Sequence, residues 1–496
     1  MTEVESTNDV GKRAKKGIRQ LLVRQVALLV LTFAGGVVLA RVLDPAEFGM
    51  FGITTFLVNV LALFGDCGLA PSLIQRKADL SDRDLHVGFT LQQVLVTVVV
   101  VALWLLAPWL ASFYPKASGE LIWLVRALAF SLYLHTWRSI SALQLERKLE
   151  YKRLAVVEVV EKLSYQVVAV TMAVLGFGVW SLVSAVLIRG VLGTVLVYSV
   201  APWPVRLGFD KEVAREILRF GLPFQLQRII GNAKDWVAPT LVASLIGPDA
   251  VGFLMWGTSN GRKPMQLIQN VIRVSFPHFS RLQDKPAEVE RILSKYQVYF
   301  LGLTGLWFSI LVAAGYDLTR WIYTDKWLPA VPVLMLAGFL LGLNVVSWST
   351  KTALAGLGQV RFTTRVTIVA TVLSLGLGVA LVLVIGFIGV PIAHILSLLL
   401  TVPWLYTGLR RGAMRRILGP AAWIGMPTVV SIVVGLGVQM LSLPLAVSAL
   451  GTAGVVTLVY LGVAWLTGPA WLRAKANGAL LRLKERLSRN REPVLP

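Results

Sequence analysis

Residues 221–284 read GLPFQLQRIIGNAKDWVAPTLVASLIGPDAVGFLMWGTSNGRKPMQLIQNVIRVSFPHFSRLQD. Two long apolar segments flank the short turn Gly247-Pro248-Asp249-Ala250, a pattern that predicts a helical hairpin. Each segment is long enough for a hydrocarbon core of about 30 Å, yet each carries charge in mid-span. On the first, Gln225, Arg228, Asn232 and Asp235 follow at spacings of three and four, so at roughly 100° per residue they share one helical face. On the second, Arg262, Gln266 and Gln269 repeat the spacing, with Lys263 beside them and Pro264 breaking the helix. Lipid cannot solvate such stripes, so they face protein or a water-filled cavity.

The rest of the chain sets this hairpin in a membrane. It is 56% hydrophobic and only 15% charged, too little charge for a soluble protein of this length. The apolar runs predict an all-α polytopic membrane protein with about fourteen spans. They lie near 18–41, 48–65, 88–113, 119–144, 153–176, 179–200, 217–246, 249–272, 293–315, 328–351, 362–386, 389–409, 419–441 and 445–467. The first run lacks a small-residue cleavage site and reads as an uncleaved span. The single cysteine, Cys67, excludes an internal disulfide and a cysteine-based metal cluster, and four scattered histidines give no ligand spacing. No metal or cofactor is expected.

The net charge of +22 is mostly topology. With the N-terminus inside, 34 of the 48 basic residues fall in cytoplasmic segments and four in outer loops, which are very short apart from the one around Tyr323-Thr324-Asp325-Lys326-Trp327. That asymmetry predicts both termini in the cytoplasm and argues against nucleic acid as a partner. The tail around Leu480-Leu481-Arg482-Leu483-Lys484 reads as an amphipathic helix on the anionic inner leaflet, with membrane lipids as its partner.

An internal repeat divides the chain. Pro45 and Gly49 precede Pro248 and Gly252 by 203 residues. QLERKLEY ending at Tyr151 parallels AGLGQVRF ending at Phe362, and Gly178-Val179 parallels Gly389-Val390, both at an offset of 211. The expected organisation is a basic N-terminus (1–17), a six-helix lobe (18–200), a cytoplasmic linker (201–216) and a second six-helix lobe (217–412). Helices 13 and 14 (413–467) and a basic tail (468–496) follow. Parallel repeats of this kind hold substrate between their halves in some secondary transporters.

The remaining ten basic residues lie inside spans, where lipid exposure costs ~2.5–3.5 kcal/mol each on insertion scales. Arg24, Arg126 and Arg138 are near enough to a span end to snorkel. Arg189, Arg228, Arg262 and Lys263 lie about 16–20 Å from their nearer loops by helix rise. Only Asp66, Glu158, Glu161 and Asp235 are available in spans to neutralise them, and Glu158 and Lys162 are spaced to pair with each other. The surplus calls for an anionic ligand, and guanidinium groups suit phosphate. The anion-binding candidates are Arg189, Arg228, Arg262, Lys263, Lys234, Lys351 and Arg24. Gln225, Asn232, Gln266, Gln269 and Asn344 supply polar walls, Asn344 sharing a helical face with Ser347 and Lys351. Asp235, Asp66 and Glu158 are candidates for coupling to a proton or sodium gradient. The tryptophans read as interfacial anchors and packing.

FPHFSRLQD (276–284), YTDKWLPAVPVL (323–334), ARVLDPAEFGMFGI (40–53), LIQRKADLSDRDL (73–85) and ALQLERKLEYKRLA (142–155) resemble the polysaccharide transporters, or O-antigen-type flippases, of the multidrug/oligosaccharidyl-lipid/polysaccharide exporter superfamily. The resemblance covers roughly residues 17–412. It implies two six-helix lobes around a V-shaped central cavity and alternating access. It also implies export of a polyprenyl-diphosphate-linked oligosaccharide across a bacterial inner membrane, with a polysaccharide polymerase as a candidate partner and a functional monomer. Family members often carry an Asn-x-x-Asp pattern on the seventh span, which Asn232 and Asp235 fit. Lys234 and Gly-Arg-Lys-Pro at 261–264 depart from the family pattern. A cation-coupled drug antiporter would share the fold but calls for acidic and aromatic binding residues. A membrane glycosyltransferase or ligase calls for large outer loops with paired carboxylates, and an enzyme is not expected.

Overall fold

The computed structural model describes residues 28, 30–66, 81–117, 119–147, 150–265, 268–269, 272, 279–441, 443–469 and 473. Every regular element among them is helical, and contacts divide the chain into two compact units, Met1–Gly252 and Phe253–Pro496.

In the first unit α1 (Val30–Val42), α2 (Pro45–Asp66) and α3 (Asp82–Ser112) lead into three short helices, α4 (Glu120–Ala129), α5 (Ser131–Trp137) and α6 (Ser139–Arg147). This broken stretch is the expected fourth span. Its interruptions contain no proline; instead the hydroxyls of Ser131, Thr136 and Ser139 donate to the carbonyls of Leu128, Tyr133 and Thr136, competing with the helical ladder. Next, α7 (Tyr151–Val174) and α8 (Trp180–Val200) form a hairpin. Its turn uses Gly176 at φ +84 and Gly178 at φ +53, a region where a side chain is strained.

The segment expected as a linker, 201–216, is folded onto the start of α3. Trp203 is buried against His86 and Phe89, and Thr90 Oγ1 accepts from the Gly208 amide. Asp210 then starts α9 (Lys211–Leu245), accepting from the amides of Glu212 and Val213 while pairing with Arg83.

Both copies of the repeated Pro-x-x-x-Gly motif lie within this unit, and they meet. A Cβ on Gly49 would strike the Pro248 carbonyl oxygen, and a Cβ on Gly252 would strike that of Pro45. Glycine at the fifth position of each motif lets two backbones cross in contact.

In the second unit α10 (Pro248–Gly261), most of which lies here, is followed by the 38-residue α11 (Pro286–Tyr323). The remaining helices are α12 (Val331–Gly356), α13 (Val360–Ile385), α14 (Gly389–Thr407), α15 (Ala413–Leu418), α16 (Gly425–Gln439) and α17 (Leu445–Thr467). The long α11 is the spine, packed against α12, α15, α16 and α17. A buried polar network ties it to α12 and α14: Gln297 Nε2 donates to Ser349 and Thr350, and the Tyr406 hydroxyl donates to Gln297 Oε1. The added pair α16 and α17 docks on α11 through Gly305, which meets Tyr460 and Thr428, and through Asp317, which accepts from Ser448 and Gln439. Near the start of α11, buried Glu290 accepts from the Arg416 guanidinium and the Arg410 amide.

Eight helical segments among the described residues are long and apolar enough to cross a membrane, against the fourteen spans expected. Part of the first expected span, 18–41, lies outside the described residues, and the other differences have physical reasons. The helices α7 and α9 are long enough but carry too many charges, the fourth span is broken, and Pro264 cuts α10 short. One apolar stretch, Val360–Thr407, itself holds two helices, α13 and α14.

Candidate functional site

The helix α10 ends where the sequence places its cations. Pro264 has no N–H for the carbonyl of Asn260, so the chain tightens: the Lys263 amide donates to Asn260 O at 3.3 Å and the Met265 amide to Arg262 O at 2.9 Å. The indole nitrogen of Trp307 on α11 donates to the Gly261 carbonyl at 2.8 Å, satisfying a group released by the break. Gly257 and Gly261 let α10 approach the start of α12, where side chains would meet Ala330, Val333 and Leu334.

Lys263 sits in an ordered surround. Its ammonium donates to the Tyr323 hydroxyl at 3.2 Å, which donates to Asn260 Oδ1 at 3.1 Å; Asn260 Nδ2 donates to the Trp256 carbonyl at 2.8 Å. Trp256 stacks on Trp327 and meets Tyr323 edge-on. The stretch 323–327, read from sequence as an outer loop, is therefore packed: Trp327 is 0% exposed. This cluster fixes the ammonium, and half-buried Arg262 precedes it in the turn.

Next along the chain, Gln269, Ile272, Trp348, Lys351 and Thr352 line a cleft of about 430 Å³, within the range of small-ligand sites. The two polar residues expected there, Gln269 and Lys351, are thus brought together. Asn344, on the same face of α12, is 3% exposed, and its amide nitrogen has no hydrogen-bond partner among the described residues.

In the first unit Arg189 is exposed, its guanidinium 5.7 Å from the Tyr165 ring centroid, and Gln225 is buried. Arg138, expected to snorkel, instead pairs with buried Glu161 beside Gly193, because α5, α7 and α8 converge there. Glu158 and Lys162 are both exposed, and no ion pair joins them. Arg126 lies over the rings of Trp104 and Trp123. Arg24 and Gln266, and the side chains of Asp66, Arg228, Asn232, Lys234 and Asp235, lie outside the described residues.

The Arg138–Glu161 pair gives a stability prediction. Arg138 is 26% exposed and Glu161 9%, so removing the carboxylate strands a largely desolvated guanidinium, at a cost of about 3 kcal/mol. Glu161→Ala lowers the melting temperature in detergent while Glu158→Ala does not, and Arg138→Met recovers much of the loss in the double variant. Equal effects of the two glutamate changes would contradict this.

Sequence reasoning missed Asn260, Tyr323, Trp307 and Trp348. Trp348 was marked by its register: it lies four residues after Asn344 and three before Lys351, on one helical face.

Residues 38–332 match the family described as polysaccharide biosynthesis protein. The chain belongs to this family. Among proteins of similar sequence, the succinoglycan biosynthesis transport protein ExoT of Rhizobium meliloti is 24% identical over 332 residues, 66% of this chain and 66% of its own length. The lipopolysaccharide biosynthesis protein WzxC of Escherichia coli is 25% identical over 332 residues, 64% of this chain and 65% of its own. The chain therefore spans just under two thirds of the length of these relatives. The lipid II flippase MurJ in an inward closed conformation has a TM-score of 0.74 at 13% identity, covering 90% of this chain and 97% of that one. An inward-facing multidrug-resistance transporter of the MATE family gives 0.60 at 16% identity, covering 78% and 94%. At these identities the two structures establish the fold: this member of the polysaccharide biosynthesis family is a multi-pass helical membrane protein with the architecture of MurJ and MATE transporters.

Proposed function

We propose that the protein is a flippase that moves a polyprenyl-diphosphate-linked oligosaccharide from the cytoplasmic to the outer leaflet of a bacterial inner membrane by alternating access, without covalent chemistry. The observation that carries this reading is the cationic helix break at Arg262-Lys263-Pro264. An ammonium held by an aromatic and amide surround, with a half-buried guanidinium beside it, is expensive to maintain within an apolar run, and the two suit a ligand with negative charge and oxygen acceptors. A diphosphate is such a ligand. The names of ExoT, a transport protein, and WzxC, a lipopolysaccharide biosynthesis protein, agree with it, as does the flippase architecture.

In this reading Arg262, Lys263 and Lys351, with Arg189, Arg228, Lys234 and Arg24, neutralise the diphosphate along its path. Gln225, Asn232, Gln266, Gln269 and Asn344 meet the sugars, and the polyprenyl tail stays in lipid. Asp235, Asp66 and Glu158 couple the cycle to a proton or sodium gradient. Both termini face the cytoplasm, the protein works as a monomer, and a polymerase takes the product outside. Deleting the gene should abolish surface polysaccharide and accumulate its lipid-linked repeat unit in the membrane. Unchanged polysaccharide with no accumulated precursor would reject the proposal.

A further inference from the structure

We propose that Trp348 is a stacking platform for the sugar next to the diphosphate, making the cleft of Gln269, Ile272, Trp348, Lys351 and Thr352 a carbohydrate subsite beside a phosphate contact. This rests on the flippase reading and gives it a place for the first sugar.

Several observations converge. Trp348 lines the cleft while also packing on the buried cluster of Met265, Ile268, Phe300, Leu341 and Val345, so its ring is fixed before any ligand arrives. A fixed indole presents a flat face with negative quadrupole, which suits the C–H-bearing face of a pyranose and costs little side-chain entropy on binding. Around it are the polar groups that hydroxyls need. The Gln269 amide carries both donors and an acceptor. The Thr352 hydroxyl donates to the Trp348 carbonyl at 2.8 Å, which orients its oxygen and leaves lone pairs to accept.

The cation's position relative to the indole sets the order of the ligand. Lys351 is three residues beyond Trp348 on α12, so their Cβ atoms are neighbours on one helical face, about 5–6 Å apart. A sugar on the indole therefore has its anomeric oxygen, and the phosphate attached there, within reach of the ammonium. An anion site alone would not need the indole, and an apolar drug site would not need the lysine.

The test is equilibrium binding to the full-length protein in lipid nanodiscs. The probes are a polyprenyl diphosphate bearing one glucose, one bearing one galactose, and the same lipid without sugar. Wild type should bind at least one glycosylated lipid more tightly than the bare one. Trp348→Ala should weaken that binding roughly tenfold and leave the bare lipid unchanged, with Trp348→Phe restoring most of the difference. Trp348→Leu, which keeps apolar volume against the core, should behave like the alanine variant. Lys351→Gln should weaken all the lipids. Equal weakening of bare and glycosylated lipids by Trp348→Leu, or none, would overturn the subsite while leaving the flippase reading standing. Failure of every lipid to bind wild type would sink the flippase reading and the subsite with it.

Discussion

Replacing Arg262 and Lys263 together by alanine reduces surface polysaccharide more than about a hundredfold while membrane abundance stays at the wild-type level. Each cation supplies charge-assisted hydrogen bonds worth roughly 1.5–3 kcal/mol, so losing two costs about 3–6 kcal/mol at the step that desolvates the diphosphate. Folding suffers less, because the break itself is dictated by Pro264 and the Gly261 carbonyl keeps its bond from Trp307. Asn260 and Tyr323 keep their bond to each other when the ammonium leaves. Lys263→Arg should retain part of the activity, since charge survives but the compact contact to the Tyr323 hydroxyl does not. Normal polysaccharide in the double alanine variant at equal abundance would remove the site.

The second large effect is expected where the repeat motifs cross. Gly49 and Gly252 each face a backbone carbonyl oxygen of the opposite motif, so even one added methyl cannot be met by a side chain turning away. Overpacking of a close-packed contact costs typically 1–3 kcal/mol, and more when backbone must move. Gly49→Ala and Gly252→Ala should each lower the melting temperature and reduce export, and Gly49→Leu should prevent accumulation of folded protein. Gly36→Ala and Gly302→Ala serve as controls, because nothing lies within 4 Å of the added Cβ. Variants at 49 and 252 that melt and transport like these controls would show that the crossing is not tight.

The same two glycines show what could be read in advance. Their spacing from Pro45 and Pro248 marked a repeat, but not that the copies touch, because contact between segments 203 residues apart leaves no local signal. The cationic break was legible, since arginine, lysine and proline in succession within an apolar run admit few other readings. Its surround was not: Tyr323 and Trp327 read as an outer loop by their place between expected spans, and it is packing between distant segments, with Trp256 on both, that the local sequence does not show. Charge inside spans also misled where partners came from distant helices. Arg138 finds Glu161, and Asp317, left out of the spans, joins α11 to α16 and α17. Conversely, α7 and α9 coincide with the expected spans 153–176 and 217–246, although their charges set them apart from plainly apolar membrane helices.

Transport itself is the most direct test. Purified protein is placed in liposomes carrying a polyprenyl-diphosphate-linked oligosaccharide, and the fraction of sugar open to external periodate, which does not cross the bilayer, is followed over time. Wild type should expose the inner-leaflet pool, whereas protein-free vesicles and the Arg262→Ala/Lys263→Ala protein should expose only the outer-leaflet fraction. Wild-type vesicles that expose no more than protein-free ones, with an imposed proton or sodium gradient in either direction, would contradict the account.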